Sequence, residues 1–258
     1  MSAGGMCALL YHPRLRRRRC LSATLQRMFP ALLNARDLGG YPTTDGAATR
    51  LRSLLRADDL AQLSPAGLAA FVDYGIETVL DLRWPEEIAA APSPVTRLLP
   101  GVRYVSVSLL ADTPGDWGAL GGHCAKEQWK CTVLERLQPQ LREALAAIAA
   151  AGPGPLLFHC VAGKDRTGVI AALLLALAEV VPKAIAADYA ASTENLRDAY
   201  LNRYPDGDPT AIIEAVRCPE SAVYNMLQYL DRAGGIRAYL GGIGLGAAEI
   251  ARLRARLR

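Results

Sequence analysis

The sequence predicts an α/β fold: a central, mostly parallel sheet flanked by helices, with an all-helical C-terminal half. Three observations carry that prediction. Pro155-Leu156-Leu157-Phe158 is a short apolar run and Val169 to Val181 a longer one closed by Pro182, so this region reads as strand, loop and buried helix. Ile76 to Arg83 is a second apolar run behind a capped helix, the pattern of a parallel strand buried on both faces. Beyond Pro182 the periodicity is helical throughout.

Taken in order, residues 1–30 read as a basic N-terminal extension, expected to be a solvated, disordered tail, and residues 31–258 as one domain. A secretory signal would place its positive charge ahead of its apolar segment; here Met6–Tyr11 precedes Arg14–Arg19. An acidic-lipid or nucleic-acid patch and part of an organelle transit peptide remain alternatives for that arginine cluster. Asn34 to Gly40 is turn-rich, and Arg36 and Asp37 are assigned structural roles. Leu51 to Leu55 reads as strand, with Arg52 a candidate buttress of the loop. Ser64-Pro65 starts a helix that Gly75 ends. Val102 to Leu109 alternates, with Val105, Val107 and Leu109 on one face. A Gly- and Asp-rich stretch follows from Ala111 to Gly122. Val133 to Ala151 is helical by spacing, and Pro139 should kink or split it. The remaining helices are expected at Lys183–Ala191, Glu194–Tyr204, Pro209–Arg217, Glu220–Arg232 and Ala247–Leu257.

Composition narrows the function classes. The formal net charge over 258 residues is +4. Residues 1–30 hold six Arg and no acid, so the remainder has 23 basic and 25 acidic residues, a balance of −2 that argues against a nucleic-acid partner. No apolar run is long enough for a transmembrane segment. The six Cys form no disulfide framework and no paired metal half-site. His123, Cys124 and Cys131 are therefore set aside as ligands, and no metal or cofactor is expected. A catalytic thiolate favours a reducing, cytoplasmic setting, with secretion and organelle targeting left open.

The chemistry concentrates in His159-Cys160-Val161-Ala162-Gly163-Lys164-Asp165-Arg166-Thr167-Gly168. Backbone N–H groups at a helix start lack partners and carry partial positive charge, which suits an oxyanion. A cysteine at the mouth of such a loop feels the same field, and its thiolate is favoured. Gly163 lets the loop curl with the amides of Val161, Ala162, Gly163 and Lys164 inward. Arg166 can grip two phosphate oxygens. Thr167 is a candidate hydrogen bond to the sulfur. His159 reads as a neutral core histidine near Cys160. Together these residues point to nucleophilic phosphoryl transfer through a phosphocysteine, then hydrolysis.

The string HC-x-AGKDRTG resembles the signature of the cysteine-dependent tyrosine phosphatase superfamily. More narrowly, it resembles bacterial and fungal tyrosine and lipid phosphatases with Lys and Asp inside the loop. Asn34-Ala35-Arg36-Asp37-Leu38-Gly39-Gly40, Leu51-Arg52-Ser53, Val79 to Arg83 with Glu86 just after, Asp188-Tyr189 and Gly234 to Leu240 fit the same pattern, over about Ala31 to Arg258. The resemblance implies a tyrosine phosphatase-like fold and a phosphoric monoester hydrolase, acting on phosphotyrosine proteins and possessing, as a second possibility, dual specificity. It implies Asp165 as general acid. Asp112 and Asp116, in the region where the wider superfamily carries a mobile acid loop, are alternatives. Asp81, at the C-terminal end of its strand, is either an orienter of Arg166, the favoured role, or a catalytic acid. Lys164 keeps a phosphoinositide phosphatase open. A non-catalytic phospho-binding module and a sulfur-transfer or arsenate-reducing domain are the competing classes.

Overall fold

The computed structural model describes Leu25 and residues 28–110 and 126–258. Expectations for Asp112, Asp116, His123, Cys124 and the Arg14–Arg19 cluster fall outside those residues. Five strands, β1 (Arg36–Asp37), β2 (Leu54–Ala57), β3 (Thr78–Asp81), β4 (Arg103–Ser106) and β5 (Leu156–His159), form one sheet in the order β1-β2-β5-β3-β4. β1 pairs antiparallel with β2, and every other pairing is parallel. In that register His159 stands between Ala57 and Asp81. Three strand ends therefore lie side by side at one edge, where an open α/β sheet presents its ligand site.

The strands alternate between two cores. Leu54, Leu80, Leu156 and Phe158 face one cluster, and Leu55, Ala57, Val79 and Leu157 face the other. Burial on both faces is why β3 and β5 read as unbroken apolar runs. On the second face lie α1 (Pro65–Tyr74) and the N-terminal segment. Ser64 caps α1 by accepting from the Gly67 amide, and Gly75, at φ +78°, ends it. Leu25 and Phe29 are buried there too, Phe29 edge-on to Phe71 at 6.2 Å between ring centroids. Packing thus begins before residue 31, the boundary expected from composition.

The first face carries α4 (Trp129–Arg136), α5 (Gln138–Ala150), α6 (Asp165–Leu177), α7 (Pro182–Arg203), α9 (Glu220–Arg232), α10 (Ile236–Gly242) and α11 (Ala247–Leu257). α6 is apolar all round and lies at the centre of this layer, as Val169–Val181 predicted. Short helices α2 (Pro85–Ala90) and α3 (Pro94–Leu98) follow β3, and α8 (Pro209–Val216) packs on α7. Pro139 splits the long periodic stretch into α4 and α5.

Several boundaries differ from the sequence reading. The Leu51 region is not strand: Leu51 is exposed, Arg52 takes φ +56°, and β2 begins at Leu54. Residues 182–203 form one helix rather than two. Ser192 and Thr193, which break the apolar pattern, find tertiary partners: Ser192 Oγ accepts from Arg36, and Thr193 Oγ1 accepts from the Cys218 amide. Among the described residues, no helix is long and apolar enough to cross a membrane.

Candidate active site

The loop from Cys160 to Lys164 joins β5 to α6 and stands over the end of β2. Gly163 takes φ +61°, and a Cβ there would fall 2.4 Å from the Ala57 carbonyl oxygen, so only glycine fits. The loop carbonyls are held from outside. Asp59 N donates to Val161 O at 2.9 Å. Asn34 Nδ2 donates to Ala162 O at 2.9 Å and to Gly163 O at 3.0 Å. Arg56 Nη2 donates to Gly163 O at 2.6 Å and to Lys164 O at 3.3 Å. In a planar trans peptide the carbonyl and the next amide point in opposite directions. With their carbonyls tied outward, residues 162–165 turn their amides into the loop, a preformed anion nest.

Those ties rest on a buried ionic cluster. Asp188 on α7 accepts from Arg36 Nε at 2.8 Å and Arg56 Nη1 at 2.5 Å, and from the Tyr41 hydroxyl. Burial and the facing Arg56 push Arg36 down to about 10, with Asp188 opposing. Arg36 is structural, as expected, but Arg56 rather than Arg52 buttresses the loop. The Arg52 guanidinium instead stacks 4.4 Å above the Tyr74 ring and donates to Tyr74 O. Asp58, whose carboxylate accepts from the Leu33 and Asn34 amides, fixes Asn34 from behind; burial pushes it up to about 6.

Cys160 is buried at the mouth of the nest, with Val161 exposed beside it. Arg166, in the first turn of α6, faces the sulfur. Glu87 on α2 clamps its guanidinium, accepting from Nη1 at 2.6 Å and Nη2 at 2.9 Å. Glu87 also accepts from the Trp84 amide at 2.8 Å, which fixes it at the start of α2. Burial pushes Glu87 up, but the Arg166 bonds, the Trp84 amide and the charges of Arg166 and Arg83 together hold the carboxyl below its ordinary value. The clamp uses the Nη1–Nη2 edge of Arg166; the Nε–Nη2 edge is the one left to meet two oxygens of a phosphoryl group.

Asp81 therefore does not orient Arg166. It grips Arg83, from Nη2 at 2.8 Å and Nε at 3.0 Å, and accepts from the Tyr104 hydroxyl at 2.5 Å. The reason is geometric: Asp81 and Arg83 are two residues apart at a strand end, so the ion pair closes locally. Burial pushes Asp81 up, and the Arg83 and Tyr104 hydrogen bonds with the neighbouring charges together hold it below its ordinary value. His159 is buried, its Nδ1 lies 3.1 Å from Cys160 O, and burial lowers its pKa, so it is the neutral histidine expected. A carbonyl partner assigns the proton to Nδ1.

Asp165 opens α6, half-buried, and its Oδ1 accepts from the Tyr189 hydroxyl at 2.9 Å. Lys164 does not extend into the nest: its ammonium donates to Ala215 O at 2.7 Å, at the end of α8, and lies 3.4 Å from Asp165 Oδ2. Thr167 is buried and its hydroxyl makes no hydrogen bond among the described residues, so the expected bond to the sulfur is not formed. Among the described residues no group of His, Cys, Asp or Glu side chains is arranged to hold a metal. Sequence reasoning missed Glu87, although Trp84-Pro85-Glu86-Glu87 carries the spacing of a helix start with its glutamate at the third position.

The chain is similar to known proteins over most of its length. The sequence model described as "Tyrosine phosphatase family" matches residues 28–258. A tyrosine-protein phosphatase of Nostoc commune is 31% identical over 248 residues, covering 84% of this chain and 78% of that one. The triple specificity protein phosphatase PtpB of Mycobacterium tuberculosis is 28% identical over 199 residues, covering 66% of this chain and 70% of that one. Among solved structures, P. aeruginosa TpbA in complex with phosphotyrosine aligns with a TM-score of 0.31 and 23% identity, covering 64% of this chain and 86% of that one. A match spanning nearly the whole described chain, over a strand, loop and helix that preform an anion nest around a cysteine, fixes the relationship: the chain belongs to the tyrosine phosphatase family of hydrolases.

Proposed function

We propose that the chain is a protein tyrosine phosphatase acting through a phosphocysteine. The Cys160 thiolate attacks phosphorus in line, the S–P bond forms, and the ester P–O bond breaks. Asp165 gives its proton to the leaving phenolic oxygen, then takes one from the water that hydrolyses the phosphocysteine. Arg166 and the amides of residues 162–165 hold the equatorial oxygens as charge redistributes among them. Val161, Ala162, Gly163 and Lys164 serve through their backbone, and Thr167 through its helical position behind the sulfur.

The observation that carries this reading is the Glu87 clamp on Arg166, which presents the Nε–Nη2 edge beside Cys160. A sulfur-transfer site has no evident use for such a clamped phosphate ligand beside a loop aspartate. Lys164 gives the phosphoinositide reading little support, because its ammonium is already spent on Ala215 O and Asp165. Dual specificity finds its support in the PtpB relative, a triple specificity protein phosphatase. The test is turnover of phosphotyrosine, phosphoserine and phosphoinositide substrates by the wild type and Cys160→Ser. Phosphotyrosine hydrolysis abolished in Cys160→Ser is expected. A tight phosphopeptide complex without turnover by the wild type would replace the enzyme with a binding module.

A further inference from the structure

Lys130 stands in the first turn of α4 and is fully buried. Its ammonium makes no hydrogen bond among the described residues. It lies 3.6 Å from the centroid of the Tyr189 ring and 5.6 Å from that of Trp129. Tyr189, on α7, is the residue whose hydroxyl donates to Asp165 Oδ1 at 2.9 Å. The glycine that closes the loop motif belongs to the same cluster. A Cβ on Gly168 would fall 3.1 Å from the Tyr189 ring and 3.3 Å from Lys130 Nζ. Gly168 is helical, so space for this pair is the reason for a glycine there.

An ammonium buried without a hydrogen-bond partner opposes folding, and an apolar side chain of similar length would fill the same volume without that penalty. Packing alone gives no reason for a charge at this position. The ring of Tyr189 does: a cation on an aromatic face withdraws electron density and strengthens the phenol as a donor.

We infer that Lys130 is a positioning residue for proton transfer, its ammonium on the Tyr189 ring strengthening the hydrogen bond that the Tyr189 hydroxyl donates to Asp165 and so stabilising the carboxylate formed when Asp165 gives up its proton. This rests on Asp165 as the general acid. The proton that moves is the carboxyl proton of Asp165, which goes to the ester oxygen as the P–O bond breaks; Lys130 and Tyr189 keep theirs. Burial pushes Lys130 down to about 8, opposed first by the charge of Asp165, so the ammonium persists through the neutral and acidic range. Arg56 on β2 and Lys164 in the loop are the like charges facing it.

A general acid matters most when the leaving group is basic. The test therefore compares kcat/KM for a phosphotyrosine peptide with that for an aryl phosphate whose phenol is strongly acidic. Lys130→Met should lose about tenfold on the peptide and less than about twofold on the activated ester, without a lower Tm. Tyr189→Phe should show the same selectivity, and the double variant should lose no more than either single one. Equal losses on both substrates would overturn the inference, and Tyr189→Phe decides it if Lys130→Met does not fold. Asp165→Asn separates the two levels. Without leaving-group selectivity in Asp165→Asn, the acid assignment falls and Lys130 with it. If Asp165→Asn is selective while Lys130→Met is not, only the role of Lys130 falls.

Discussion

Replacing Glu87 by Gln should disable the site without touching the phosphate nest. The substitution keeps the shape of the side chain and removes its charge. One of the two carboxylate oxygens, bonded to Arg166 at 2.6 and 2.9 Å, becomes an amide NH2 that faces a guanidinium donor. A hydrogen bond to a charged group contributes about 1.5–3 kcal/mol. The Arg166 side chain is 9% exposed but that of Glu87 is 26%, so water recovers part of the loss. A destabilisation of about 2 kcal/mol follows, well below the total stability of a domain. The effect on turnover should be larger in proportion, because Arg166 then has no fixed edge to offer. A misplacement near 1 Å costs about a hundredfold, and kcat/KM should fall by about 10- to 100-fold. Steady-state kinetics on an aryl phosphate, beside a thermal melt, measure both. A folded Glu87→Gln protein with kcat/KM within about threefold of wild type would refute the positioning argument.

Two further outcomes follow from the surroundings of the loop. Arg56→Ala removes the shorter of two hydrogen bonds to Gly163 O and one of the two guanidinium partners of the buried Asp188 carboxylate, and should destabilise by about 3 kcal/mol while abolishing turnover; Arg52→Ala, stacked on Tyr74 at the surface, should change kcat by less than about twofold. Denaturant melts and initial rates distinguish the two, and reversal of that order would return the buttress to Arg52. Asp58 predicts a pH dependence of stability. Its folded value, about 6, lies above the ordinary 3.8, so the folded state takes up a proton. The resulting contribution, at most about 3 kcal/mol, is complete below about pH 4 and lost as pH rises through about 6. Denaturant midpoints of wild type and Asp58→Asn across that window should converge at the high end in slope; parallel curves throughout would contradict the shift.

The parts of the fold that were legible in the sequence are those fixed by local pattern. β5, the loop and α6 follow from apolar runs, one glycine and Pro182. α1 follows from Ser64-Pro65 and Gly75, and α9 and α11 from their spacing. What was not legible depends on partners far along the chain. Ser192 and Thr193 look like a break between two helices until Arg36 and Cys218 engage them. Glu87 reaches Arg166 across 79 residues of sequence from a six-residue helix with no buried face to betray it. Asp81 and Arg166 both belong near the site by sequence, but Arg83, two residues along, is the partner that Asp81 reaches. Lys130 reads as one more cation on an amphipathic stretch, and only the packing of α4 against α6 and α7 makes it a buried charge.

The most direct measurement is the covalent state of Cys160 during turnover. Asp165→Asn removes the base for the second step, so an activated aryl phosphate should load the enzyme faster than water unloads it. Mass spectrometry of the acid-quenched protein should find one phosphoryl group on the peptide carrying Cys160, and none in Cys160→Ser. Sustained phenol release with Cys160 unmodified at every time point, or a phosphoryl group on another residue, would contradict nucleophilic catalysis at this loop.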